Sequence, residues 1–178
     1  MRAVGIRATW FAPLAGAALL AAGCGGSDES ATTKWFDNVC SAVTTWQDSI
    51  ASAGQSLKNN PSKAGLESAF TDAKDATSTL SDDLKSAGTP DTDSGQQAKD
   101  QLDALGTQLD DGVTKMQDSV DGVTTVNQAL TAVSAVSGTL ATMSTQIKST
   151  VDNLRTLDPK GELQTAFNEA DSCAPLKS

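Results

Sequence analysis

The chain has no histidine and no tyrosine, and its 178 residues include only three Trp, four Phe and three Cys. Each shortage excludes some chemistry. Without histidine there is no Ser-His-Asp or Cys-His catalysis, no His-ligated zinc, no c-type haem attachment and no side chain that ordinarily titrates near neutral pH. Basic residues are scarce as well: 13 Lys and Arg face 22 Asp and Glu, a formal net charge of -9 with a pI near 4.3. With no basic run, the chain lacks the electrostatic footprint of a nucleic-acid binder. It also lacks a C-x-x-C pair, the spacing of a redox or metal-binding thiol couple.

What is present begins at the N-terminus. Arg2 and Arg7 are followed by an uncharged stretch from Ala8 to Ala22 that holds Trp10, Phe11, Leu14, Leu19 and Leu20. That length suits the apolar region of an export signal and falls short of the ~20 residues a spanning helix needs. The stretch runs into Leu20-Ala21-Ala22-Gly23-Cys24 and then Gly25-Gly26-Ser27-Asp28-Glu29-Ser30. These residues resemble the lipobox of bacterial lipoproteins, in which small residues precede a cysteine that is lipidated and becomes the first residue of the mature protein. Ala21 stands where the commonest lipobox has leucine, and the resemblance covers about residues 1–30.

The resemblance implies removal of residues 1–23 as a signal peptide and acylation of Cys24 with palmitate-like chains. Two or more such chains suffice for stable anchoring. The expected address is the extracytoplasmic face of a bacterial cell membrane, with residues 24–31 as lipidated cysteine and flexible tether and residues 32–174 as the folded domain. Gly25 carries no acidic retention signal for the inner membrane of double-membrane bacteria.

Lipidation would also resolve the odd cysteine count of an exported chain. With Cys24 consumed, Cys40 and Cys173 remain as an even pair in an oxidising compartment. A disulfide between them would close 133 residues, worth about 5 kcal/mol in the chain-entropy model. Such a staple matters here. The mature chain would hold 155 residues, of which 27 are Leu, Ile, Val or Phe, a fraction near 17% and below the ~20% at which chains often stay disordered.

The scarce apolar residues are spaced as helical seams. Phe36, Val39, Val43, Trp46, Ile50, Ala53 and Leu57 alternate in steps of 3 and 4, an unbroken heptad pattern. A second run is Leu66, Phe70, Ala73, Thr77, Leu80, Leu84 and Ala87; a third runs from Ala98 through Leu102, Leu105, Leu109 and Met116 to Val123. The fourth is Val126, Leu130, Val133, Val136, Leu140, Met143, Ile147, Val151 and Leu154. No stretch alternates with period two long enough to argue a strand, so the expected class is all-α.

Proline and glycine place the breaks. Asn60 and Pro61 are expected to be the N-cap and first residue of the second helix, residues 87–94 a polar loop, and Asp158-Pro159 the start of a last helix over about 159–172. Between Ser94 and Leu157 there is no proline. A single helix there would extend ~95 Å without a matching partner, whereas a turn at Asp121-Gly122 yields four helices of about 26 to 32 residues. In an up-down-up-down four-helix bundle with a short C-terminal helix, the end of helix 4 returns beside the start of helix 1, which lets Cys173 reach Cys40. The turn and the disulfide predict each other.

Candidate sites are few. Trp35 and Trp46 lie eleven residues apart, three turns on one helix face, and read first as core anchors; the alternative makes them interface aromatics, with Trp35 at the lipid boundary or stacked on a sugar. Asp91-Thr92-Asp93-Ser94-Gly95 resembles the opening of a calcium loop, but its glycine falls one place early and the distant bidentate Glu is missing. No metal or cofactor is therefore expected. Gly112, Ala129, Thr77 and Gly138 are small positions on the seams, suited to close helix approach or to a cavity. Ser and Thr make up 39 of the 155 mature residues, which suggests a weakly charged envelope surface.

The expectation is thus a lipid-anchored, non-enzymatic helical module that binds a partner in the cell envelope, with no nucleic acid involved. The alternative is a carrier or receptor for a small apolar or amphiphilic ligand held between the helices. An internal cavity of roughly 300 Å³ or more lined by Val, Leu and Ala would favour the carrier; a dry core with an exposed apolar patch would favour the interaction module.

Overall fold

Ser30 opens the fold: its Oγ accepts the backbone N–H of Thr33 at 3.0 Å and caps helix α1, Ala31–Asn59. In the computed structural model, which describes residues 30–60 and 62–177, α1 is followed by α2 (Lys63–Ser86), α3 (Gly95–Asp121), α4 (Val126–Thr156), α5 (Glu162–Glu169) and a 3-10 turn, Asp171–Leu176. Among the described residues there is no strand. The protein is all-helical, and the lipobox with Cys24 lies outside the described residues.

The heptad residues make the core. Phe36, Leu66, Leu80, Leu102, Leu105, Leu109, Met116, Met143, Ile147 and Leu154 are fully buried and belong to one contiguous cluster. Each such side chain, removed from water, contributes on the order of 1.5–3 kcal/mol. α1 packs on α2, α2 on α3 and α3 on α4. α1 and α4 are not a closely packed pair; instead α5 lies against both, and the 3-10 turn lies against α1 and α5.

Small residues set the close approaches. A Cβ at Gly112 would stand 2.9 Å from Met143 Sδ, and one at Gly106 would stand 3.2 Å from Ser81 Oγ. Gly138 behaves differently from its seam assignment. It faces open space, because its position falls on the outer side of α4.

The chain breaks differ in detail from the sequence reading. Asn60 does not cap α2. It terminates α1, its N–H donating to the Ser56 carbonyl, and Ser62 caps α2 by accepting from Gly65 N–H at 3.1 Å. α2 ends at Ser86 and the chain turns out through Gly88, whose φ of 70° is the left-handed conformation that glycine adopts without a Cβ penalty. The expected turn after Asp121 is present, with Gly122 closing α3. The single last helix is in fact two elements: α5 starts only at Glu162, and Cys173 sits on the 3-10 turn after a break at Ala170. Leu176 packs on the core, so the folded part runs past residue 174.

Candidate functional site

Two regions of the molecule contrast, and the contrast defines the site. At one end the C-terminal elements are locked in place. Cys40 and Cys173 form a disulfide, both fully buried, with Cα atoms 5.0 Å apart. Phe167 of α5 meets Phe36 edge-on at 5.5 Å, and the Arg155 guanidinium lies 4.7 Å above the Phe167 ring. The Ser172 N–H donates to Asp37 Oδ1 at 2.8 Å. Leu163, Ala166 and Phe167, at helical spacing i, i+3, i+4, put the apolar face of α5 into the core between α1 and α4.

The entry to α5 is held by Asp158. Its carboxylate accepts the backbone N–H groups of Lys160 at 3.0 Å and Glu162 at 2.7 Å. These bonds, the Lys160 one foremost, hold its pKa below the usual carboxylate value against the opposing effect of burial. The chain then turns at Gly161 with φ 74°. The Lys160 ammonium pairs with Asp93 in the α2–α3 loop, which raises its pKa. That pairing gives Asp93 a cation partner within the chain, and among the described residues no three His, Cys, Asp or Glu side chains are grouped to hold a metal.

The two tryptophans among the described residues belong to the core. Trp35 and Trp46 are 4% and 3% exposed. The Trp35 Nε1 donates to the Gly88 carbonyl at 3.0 Å and the ring stands edge-on to Phe36, 4.9 Å between centroids. The Trp46 Nε1 donates to Thr77 Oγ1 at 3.1 Å. The interface-aromatic reading is therefore corrected: neither ring has surface to offer a lipid or a sugar, because each N–H is spent on tying α1 to the chain after it.

The opposite end of the α1/α4 seam has no such filler. Because α5 and the 3-10 turn stand between α1 and α4 at the disulfide end, the two helices remain apart further along, and an open apolar groove of about 330 Å³ results. Leu57 and Gly54 of α1, Leu66 of α2, and Val126, Ala129, Leu130 and Val133 of α4 line it. Val126 and Leu130 are 77% and 65% exposed, the large hydrophobic side chains that stand out in water among the described residues. They were expected inside the fourth seam. Their heptad positions are as expected, but α1 does not come near enough to cover them.

Local sequence sets this wall. Thr125 and Gln128 form a capping box that starts α4 at Val126, which places Val126, Ala129, Leu130 and Val133 on one stripe. From Gly122 to Ile147 the chain carries no charged residue, so the α4 wall is neutral in a strongly acidic protein. The seam pattern did not distinguish these residues; the uncharged run over 122–147 is the sequence feature that marks this wall. Even so, among the described residues no helix is long and apolar enough to cross a membrane. The one charged lining residue is Lys58, in the last turn of α1, and it makes no hydrogen bond or ion pair with a described residue.

No family model matches the chain, and comparisons with curated proteins and with solved structures return no match.

Proposed function

We propose that the protein is a bacterial lipoprotein, anchored through lipidated Cys24 to the extracytoplasmic face of the cell membrane, where it acts without chemistry as a binding module. The anchor is supported by the lipobox-like run ending at Cys24. The binding role is carried by one observation, the open α1/α4 groove with its exposed Val126 and Leu130. An apolar surface left uncovered on a chain so short of apolar residues fits a surface that something else covers.

The helices are read as an up-down-up-down bundle. The bonds joining Trp35 to Gly88, Lys160 to Asp93 and Cys40 to Cys173 support it, since they gather the start of α1, the α2–α3 loop and the α4–α5 turn at one end. A tether of about seven residues reaches at most ~25 Å. In this arrangement the disulfide end stands near the membrane, and the groove lies toward the far end of helices that are about 40 Å long.

Replacing Cys24 with Ala tests the anchor: the protein should move from the membrane fraction to the soluble one, and unchanged membrane association would contradict the reading. A second reading, the carrier of a small ligand, is favoured by the groove's volume and its Val, Leu and Ala lining. Native mass spectrometry separates the two, since a retained small molecule indicates a carrier and its absence an interaction module.

A further inference from the structure

We infer that the α1/α4 groove is a binding site for a single-chain anionic amphiphile, a long-chain carboxylate whose alkyl tail lies against Leu57, Val126, Leu130 and Val133 and whose head meets Lys58. The inference rests on the reading of the groove as a binding surface and names what it binds.

Size argues first. The groove measures about 330 Å³, at the small end of the ~300–1,000 Å³ typical of ligand sites. That volume accommodates a single alkyl chain. From Val126 to Ser137 the α4 wall runs about 16 Å, long enough to lay an extended alkyl chain along it.

Charge argues second. Lys58 is the only charged residue in the lining and has no partner among the described residues. It flanks the α1–α2 connection together with Ser62, so the polar end of the groove is set apart from the apolar stripe on α4. A carboxylate there gains a cation while its tail gains apolar surface. The molecule as a whole is acidic, with a net charge of -9, and would repel anions generally. The neutral run from Gly122 to Ile147 removes that repulsion beside the groove.

The test uses the full chain carrying Cys24→Ala, titrated by calorimetry with octanoate, decanoate and dodecanoate below their micelle concentrations. Full burial of a CH₂ is worth about fourfold in affinity, and a groove open on one side should give about half that free energy, a twofold tightening per CH₂. Leu130→Asp should weaken dodecanoate at least tenfold without changing the thermal midpoint, because Leu130 is already in water. Lys58→Gln should weaken decanoate severalfold and leave decanol unaffected.

Absence of carboxylate binding, equal affinity in the Leu130→Asp protein, or equal binding of phosphatidylglycerol vesicles would overturn the inference. So would concentration-dependent dimerisation that Leu130→Asp abolishes, which would make a second copy the occupant. Failure of the anchor reading appears in fractionation and not in these titrations. If dodecanoate fails but another retained molecule is lost on Leu130→Asp, the groove remains a binding surface and only the carboxylate is wrong.

Discussion

Trp46 Nε1 donates to Thr77 Oγ1 across the α1/α2 interface at 3.1 Å, and the Thr77 hydroxyl in turn donates to the Ala73 carbonyl at 2.7 Å. Both residues are buried. The one polar member of the second heptad seam is thus the acceptor that allows a tryptophan to enter the core with its N–H satisfied.

Thr77→Val keeps the shape and removes the acceptor. An unpaired buried donor costs about 1–3 kcal/mol, so the unfolding free energy of the Thr77→Val protein, read from urea titration, should fall by that amount. Thr77→Ser keeps the oxygen and should recover most of it. Equal loss in both variants would assign the effect to packing of the Thr77 methyl.

The disulfide spans 133 residues. Replacing Cys40 and Cys173 together with Ala should lower stability by about 2–5 kcal/mol in denaturant titration. Because the bond ties the 3-10 turn to α1, amide exchange should rise most over residues 162–177. A uniform rise across all helices would show that the bridge acts on the whole domain and not on its C-terminal clamp.

Leu105 and Leu130 occupy comparable heptad positions, but they are 1% and 65% exposed. Leu105→Ala should cost about 2–5 kcal/mol, while Leu130→Ser should stay within about 0.5 kcal/mol of the parent. On the same outer side of α4, Gly138→Ala meets open space and should stabilise by about 0.5–1 kcal/mol through helix propensity alone. Thermal unfolding of the three variants reads all of this, and a destabilising Gly138→Ala would mean that another helix covers that face.

Asp158 supplies a pH dependence whose sign follows from its environment. Its carboxylate pKa is lowered from 3.8 by the Lys160 and Glu162 backbone N–H groups. The charged form is favoured by folding, so its contribution is complete above about pH 4 and is lost as pH falls through the lowered folded value. The stability difference between the parent and Asp158→Asn should be constant from neutral pH to about pH 5 and should shrink steadily below about pH 4. Denaturant midpoints across that range check it.

Much of the fold is legible in the chain because its few strong apolar residues are placed so regularly. The seams of α1, α2 and α3 predict the buried side chains from Phe36 to Val120 almost one for one, and the Asp121-Gly122 turn needs only the absence of proline and the length of a matching helix. Asn60, expected as the cap of α2, and Ser62, the observed cap, are two residues apart, a distance at which several polar residues compete for the same orphan N–H groups. The groove was harder to see. A heptad stripe records which side of a helix is apolar, and Val126 and Leu130 follow it as faithfully as Met143 and Ile147. Whether the stripe is covered depends on another element.

The sequence by itself determined the all-helical class, most of the seam residues and the polarity of the surface, and the expected lipidation of Cys24 singles out Cys40 and Cys173 as the pair. Periodicity and composition are local or countable properties. Only the tertiary structure decided that α5 and the 3-10 turn stand between α1 and α4. That wedge buries Phe167 at one end of the seam and leaves Val126 and Leu130 bare at the other. The physical reason is geometric: α5 holds α1 and α4 apart at one end and the two helices do not pack closely elsewhere, and no pattern within either helix encodes that separation.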